Sequence, residues 1–172
     1  PRPPARPPAP LSEEARCATQ VHAVIRGCAS SSDGKAPGIY APTIEGQEKA
    51  LRRAYELSGI DPATITMVEG HGTGTPVGDA IELTALKNVL GEGAARDSNP
   101  QRERVAVGSI KSQIGHLKAV AGCAGMIKVV LALKHKTIPR SINVKEPPKL
   151  KDGSNIQDTA LFINTRMRPW FT

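Results

Sequence analysis

The chain has 172 residues, of which 39% are apolar and 23% are charged, a composition typical of one soluble globular domain. Only 3% of the residues are aromatic, so we expect a core of aliphatic side chains and alanine. The net charge of +7 is spread without long basic runs, and the longest apolar stretch, residues 119–133, contains a lysine. These features argue against both a nucleic-acid-binding surface and a membrane span.

The chain begins with a proline-rich segment, in which six of the first ten residues are proline. Proline fixes φ and has no amide donor, so residues 1–19 are predicted to form a disordered tail or linker. Residues 20–172 are predicted to form the folded domain. Alternating apolar residues over positions 21–29 predict a strand, and the Ser- and Gly-rich segment 30–38 predicts a loop.

Helical spacing of apolar residues predicts a helix over residues 45–58, which Gly59 ends. After a short connection at residues 60–62, residues 65–69 predict a strand. That strand leads into a glycine-rich segment, and a second helix is predicted over residues 78–90.

A polar loop is predicted over residues 91–104, followed by a short strand over residues 105–108. Residues 117–135 are apolar on nearly every face of a helix, which predicts a helix buried between two layers. Further strands are predicted over residues 137–144 and 161–164. This alternation of strands and helices predicts an α/β fold in which helices cover a mixed sheet.

A glycine-rich motif, E-G-H-G-T-G-T-P-V-G-D, spans residues 69–79. Its glycines allow a substrate to approach the backbone closely around His71, and the hydroxyls of Thr73 and Thr75 are suited to holding a polar chain. The glycine spacing does not match a phosphate-binding loop. A tight turn in which His71 only satisfies backbone groups is the alternative.

A second motif, G-S-I-K-S-Q-I-G-H, spans residues 108–116 and runs into the apolar helix. A helix N-terminus offers free amide donors and a positive dipole end. It is expected to lower the pKa of His116 and to favour a neutral imidazole that donates a hydrogen bond to a carbonyl oxygen. Alternatively, Lys111 is a solvated surface charge and His116 an N-cap-like residue.

Together the two motifs resemble those of the β-ketoacyl synthases of the thiolase-like superfamily. The first differs from that family's E-A-H-G-T-G-T by Gly70 in place of alanine. The second, continued as L-K-A-V-A-G, matches G-S-x-K-x-x-x-G-H-x-x-A-A-A-G with Val120 in place of alanine. The resemblance covers about residues 20–170 and is greatest to polyketide synthases and polyunsaturated fatty acid synthases. It implies the C-terminal half of a thiolase-like fold.

The resemblance also implies an acyltransferase reaction, in which a malonyl thioester loses carbon dioxide and the carbanion attacks an acyl thioester. His71 and His116 would be the catalytic histidines, with Lys111 ordering the site. Thr73 and Thr75 would contact the phosphopantetheine arm of an acyl carrier protein, or of coenzyme A, as the substrate carrier. No directly bound cofactor or metal is implied, and the full-length enzyme is expected to be a homodimer.

The chain departs from the family in lacking the nucleophile motif D-[TS]-A-C-[SA]-S. Cys17, Cys28 and Cys123 are widely separated and predict neither a zinc site nor a disulfide framework. They are interpreted as buried or structural thiols of a cytoplasmic protein. We therefore expect a fragment that needs the N-terminal half of the ketosynthase, is inactive alone and associates or aggregates. The alternatives are a degenerate fragment that binds a carrier or serves assembly, and a basic nucleic-acid-binding domain.

Overall fold

A computed structural model describes residues 21–35, 38, 41–96 and 104–170, with no description of the side chains of residues 92–96. The predicted tail and Cys17 lie outside the described residues. The strand predicted over residues 21–29 is wrong, because this segment is mostly exposed and pairs with none of the described strands. Alternation alone does not form a strand, which needs a partner for its backbone groups.

The first helix, α1, spans Ile44–Ser58 and confirms the prediction to within one residue. The hydroxyl of Thr43 accepts a hydrogen bond from the amide of Gly46 at the N-terminus, and Gly59 ends the helix in the left-handed conformation. A single 3₁₀ turn, capped by the Asp61 carboxylate, then leads to the sheet.

The main sheet has three parallel strands, in the order β1 (Met67–Glu69), β2 (Val105–Gly108) and β4 (Leu161–Ile163). The last residues of β1 and β2 pair with each other, so both strands end at the same edge. The segments that follow Glu69 and Gly108 therefore start side by side.

Helix α2 spans Pro76–Arg96, so the polar loop predicted from residue 91 is wrong over residues 91–96. Alanine, glutamate and arginine in that segment favour helix, and they outweigh its two glycines. The main apolar core lies between α2 and the sheet, with α1 packed against it. Its buried members are Leu83, Leu86, Leu90, Val105, Val107, Leu150, Ile156 and Leu161.

A short helix, α3 (Lys111–Ile114), precedes a 3₁₀ turn and the helix α4 (Ala121–His135). The prediction that this apolar helix is buried on both sides is wrong. Its buried residues form one narrow stripe, and large apolar side chains on its other side are exposed, because no described element covers them. The exposed set includes Met126, Ile127, Leu131 and Leu133.

A separate antiparallel pair joins β3 (Thr137–Ile138) to β5 (Arg168–Pro169). The strand predicted over residues 137–144 ends at Ile138, since the following Pro139 has no amide to donate. The α/β class is confirmed, with helices over a small parallel sheet. Among the described residues, no helix is both long and apolar enough to cross a bilayer.

Candidate active site

The two histidines predicted from the motifs lie together at the carboxyl edge of the sheet. Their ring centroids are 5.6 Å apart and the rings are nearly perpendicular, at 84°. Both residues are exposed. The edge of an open α/β sheet where parallel strands end is the usual position of a ligand site.

The loop that carries His71 is held by one carboxylate of α2. Glu82 accepts hydrogen bonds from the amide of His71 at 2.6 Å and from the amide of Gly72 at 2.9 Å, one at each oxygen. Gly70 lies close to the same carboxylate, since a Cβ at this position would be 3.3 Å from Glu82 Oε1. Glu82 was not singled out from the sequence, although its position in the helix after the motif was a signal.

Glycine is required where the two histidine loops cross. Gly72 has a φ of +46°, and a Cβ there would lie 2.7 Å from the Cβ of Ser109. Ser109 in turn donates a hydrogen bond from its hydroxyl to the carbonyl of His71 at 3.3 Å. The first loop therefore packs directly on the start of the second.

The two threonines lie together on the exposed side of the first loop. The hydroxyls of Thr73 and Thr75 are 3.2 Å apart and form a hydrogen bond with each other. Next to them, Asp79 accepts a hydrogen bond from the amide of Gly74 at 3.2 Å and holds the turn. The hydroxyl pair is thus presented to solvent by a fixed backbone.

The second loop fixes the tautomer of His116. The amide of Lys118 donates a hydrogen bond to Nδ1 of His116 at 3.0 Å. In the neutral imidazole the proton is then on Nε2, which becomes a donor. The preceding Gly115 has φ 74° and ψ −173°, a conformation essentially restricted to glycine.

The lowered pKa expected for His116 is found, but its cause is different. The side chain is exposed, yet neighbouring atoms displace part of its hydration, and this lowers the pKa of His116 first. The positive charges of Lys111 and Lys118 lower it further. The expected helix N-terminus is not the cause, because α4 begins only at Ala121.

Lys111 is half-buried at the start of α3 and lies close enough to His116 to affect its charge state. Its ammonium forms no hydrogen bond or ion pair with any side chain in the described ranges. A positive charge at this position favours a neutral His116 and adds to the positive potential of the site.

The structure also places a buried ion pair beneath the two loops. Lys128 of α4 donates to Glu69 Oε2 at 2.6 Å, and the amide of Ile110 donates to Oε1 at 2.5 Å. From the sequence, Lys128 was interpreted only as an interruption of an apolar stretch, and the pair was not identified. A lone lysine inside an apolar helix was the available signal, since such a charge needs a partner.

Of the cysteines interpreted as buried or structural thiols, the two that are described are not buried. Cys28 and Cys123 are free and exposed. Cys28 lies in the unpaired segment before α1, and Cys123 lies on the uncovered side of α4. Across the described part of the chain, no group of three or more potential ligands is placed to hold a metal ion.

Comparisons with known proteins agree with the motifs. A family model described as "Beta-ketoacyl synthase, C-terminal domain" matches residues 22–145. A polyunsaturated fatty acid synthase chain of Thraustochytrium sp. is 64% identical over 93% of this chain. The highly reducing polyketide synthase poxF of Penicillium oxalicum is 41% identical over 94% of it. The chain spans 6% of the length of each of these two relatives.

Solved structures show the same relationship. The ketosynthase from module 6 of the bacillaene synthase from Bacillus subtilis 168 superposes with a TM-score of 0.78 at 39% identity, over 89% of this chain and 26% of that one. The PfaC keto synthase-chain length factor superposes with a TM-score of 0.76 at 35% identity, over 90% of this chain and 16% of that one. The chain belongs to the β-ketoacyl synthase family, carries its C-terminal domain, and is similar to the ketosynthase regions of polyketide and polyunsaturated fatty acid synthases.

Proposed function

We propose that this chain supplies the histidine half of a site for decarboxylative Claisen condensation of acyl and malonyl thioesters. The observation that carries the proposal is the perpendicular pair of His71 and His116, 5.6 Å apart, with Nδ1 of His116 already occupied. This arrangement leaves Nε2–H of His116 as a hydrogen-bond donor beside a second imidazole. Two donors directed at one oxygen are what an enolate requires.

In the proposed reaction, the malonyl thioester carbonyl accepts hydrogen bonds from the two histidines. When carbon dioxide leaves, the electron pair of the broken carbon–carbon bond stays on the α-carbon and is shared by resonance with the thioester carbonyl oxygen. Neutral His116 donates its Nε2–H to that oxygen and stabilises the negative charge, and the lowered pKa of His116 favours this neutral form. The carbanion then attacks an acyl group carried on a cysteine thiol, which releases the thiolate.

The substrate carrier is a phosphopantetheine arm, on acyl carrier protein or coenzyme A. The exposed hydroxyls of Thr73 and Thr75 are suited to hydrogen-bond its amide groups. Lys111 adds positive charge next to His116 and keeps that histidine neutral. We place this chemistry in the cytoplasm.

The nucleophile belongs to the N-terminal half of the ketosynthase, the proposed partner of this chain. The exposed apolar side of α4, with Ile127 and Leu131 among its residues, supports the need for such a partner. The complete enzyme is proposed to be a homodimer. Alone, the chain is expected not to form an acyl-enzyme, and stoichiometric acylation of Cys28 or Cys123 by acyl-coenzyme A, read by mass spectrometry, would contradict this.

A chimera tests the function directly. This chain would replace the matched segment of the Bacillus subtilis bacillaene ketosynthase, and release of carbon dioxide from malonyl-carrier would be measured. We expect release that falls by about 10²-fold or more in His71→Ala and in His116→Ala. His135→Ala, an exposed histidine at the end of α4, is the matched control and should leave the rate unchanged. A folded chimera whose rate is insensitive to both site substitutions would contradict the proposal.

A further inference from the structure

The ion pair between Glu69 and Lys128 is the most deeply buried pair of opposite charges in the described part of the chain. The exposed fractions of the Glu69 and Lys128 side chains are 12% and 6%, whereas the ion pairs Arg52–Glu48 and Lys87–Asp152 lie at the surface. Removing two charges from water is costly and is repaid only by close, well-satisfied contacts. Such a pair immediately next to the site therefore calls for a physical explanation.

Both oxygens of the Glu69 carboxylate are occupied by different elements. Oε2 accepts from the Lys128 ammonium of α4 at 2.6 Å, and Oε1 accepts from the amide of Ile110 at 2.5 Å. Ile110 is the residue before α3, the helix that leads to His116, and α4 is the helix that follows His116. Glu69 itself is the last residue of β1, two positions before His71.

A glycine of α4, Gly125, leaves room for the contact between Glu69 and Lys128. A Cβ at Gly125 of α4 would lie 3.1 Å from Cγ of Glu69. Glycine at that position allows α4 to approach the end of β1 closely enough for the Lys128 ammonium, one turn further along the helix, to reach the carboxylate.

We propose that Glu69 is a positioning residue whose carboxylate, held by Lys128, fixes the His71 loop relative to the His116 loop. The expected effect of Glu69 on catalysis rests on the proposed function, whereas its effect on the positions of the two loops does not. One carboxylate joins the strand that carries the first histidine to the elements on both sides of the second.

A role in proton transfer does not suit Glu69. Its two oxygens already accept short hydrogen bonds, and its side chain is largely buried. A general acid or base must reach the group with which it exchanges a proton. Glu69 instead acts through the two histidines.

The test uses NMR of the histidine side chains in the whole 172-residue chain. In the unsubstituted chain we expect a ring-to-ring nuclear Overhauser effect between His71 and His116, and the Nε2–H tautomer of His116. The decisive variant is Glu69→Leu/Lys128→Met, which removes the charges together and fills their volume. Replacing a buried ion pair by apolar residues commonly preserves stability.

If Glu69 positions the loops, the double variant keeps the backbone signals of α1 and α2 but loses the ring contact and mixes the His116 tautomers. A double variant that keeps both histidine signatures overturns the proposal. Glu69→Gln alone, read by the same signatures, decides the question if the double variant does not fold. The matched control is Lys134→Met, an exposed lysine of the same helix, which should change neither signature.

The same substitutions in the chimera separate this inference from the proposed function. We expect kcat for carbon dioxide release to fall at least tenfold with a smaller change in KM, because the part of the loop that carries Thr73 and Thr75 is held by Asp79 and not by Glu69. If the unsubstituted chimera releases no carbon dioxide while the NMR signatures respond, the function fails and the positioning role stands. If the rate is histidine-dependent and the signatures do not respond, the function stands and the positioning role fails.

Discussion

Helices α2 and α4 are both rich in apolar residues, yet they differ in what they bury. Leu83, Leu86 and Leu90 of α2 are at most 4% exposed, whereas Ile127 and Leu131 of α4 are 60% and 48% exposed. The α2 leucines share one apolar core with residues of the sheet, and Leu51 and Tyr55 of α1 pack against that core. Apolar content alone therefore does not decide burial, which requires a second surface.

The contact that α4 does make is of another kind. Its buried stripe consists of three small residues and one lysine, so α4 meets the rest of the described chain through close backbone approach and one ion pair. Large apolar side chains fill the core beneath α2, whereas the buried stripe of α4 includes a specific polar contact. The two histidine loops lie next to this polar contact.

Two leucine substitutions test this contrast most strongly. Leu90→Ala removes a fully buried side chain and leaves a cavity, so the free energy of unfolding should fall by about 4 kcal/mol. Leu131→Ala removes a side chain that is already half exposed and should cost less than about 0.5 kcal/mol. Urea denaturation followed by circular dichroism measures both. Equal losses would show that α4 is packed as tightly as α2.

Charged substitutions on α4 test whether its exposed apolar side drives association, which the buried leucines of α2 cannot do. Ile127→Lys/Leu131→Lys should shift the isolated chain strongly toward monomer, because two exposed apolar side chains that favour association become charged. Light scattering over a concentration series measures the shift. Leu57→Lys on α1 is the matched control, since Leu57 is 61% exposed, and it should leave the association unchanged. Association that survives the double substitution would place the contact elsewhere.

The sequence predicted α1 well because its signals are local. The apolar spacing and Gly59 lie within the helix and its cap, and the structure reproduces both. The strand predicted over residues 21–29 failed because pairing depends on residues distant in sequence. The burial of α4 was wrong for the same reason, since a helix pattern does not reveal whether a covering layer is present.

Some features of the candidate site could likewise be predicted from the sequence, and others could not. The proximity of His71 and His116 could be predicted, because both follow parallel strands that end at one edge. The partnership of Glu69 with Lys128 could not, because it depends on how α4 is rotated against β1. The tautomer of His116 depends on a single amide of Lys118, which no pattern of residue types reveals.

A glycine substitution tests the loop between α3 and α4, and its expected effect on stability is intermediate. Gly115→Ala forces a Cβ into a backbone conformation that only glycine readily adopts, so it should cost about 1–2 kcal/mol and displace His116. Gly122→Ala near the start of α4 meets no atom within 4 Å and should be neutral or stabilising by up to about 1 kcal/mol. Thermal denaturation gives the stabilities, and the His116 ring signals report the displacement.

The smallest effect concerns a surface ion pair on the well-packed side. Asp152 lies 3.2 Å from Lys87 of α2, and hydrogen bonds from the hydroxyl and amide of Ser154, followed by the one from Lys87, lower the pKa of Asp152 to about 2. The unfolded chain should titrate this carboxyl near its ordinary pKa of about 3.9. Its contribution to stability is therefore present above about pH 4 and is lost as the pH falls through about 2.

Asp152→Asn should accordingly lower the urea midpoint slightly at neutral pH, and the difference from the unsubstituted chain should shrink as the pH falls and disappear only below about pH 2. The carboxylate is exposed and screened by solvent, so this loss should be far smaller than that from Leu90→Ala. Ser154→Ala removes the first of the hydrogen bonds and should reduce the same pH dependence in part. A loss comparable to that of Leu90→Ala would mean that charge, and not apolar area, holds the α2 side together.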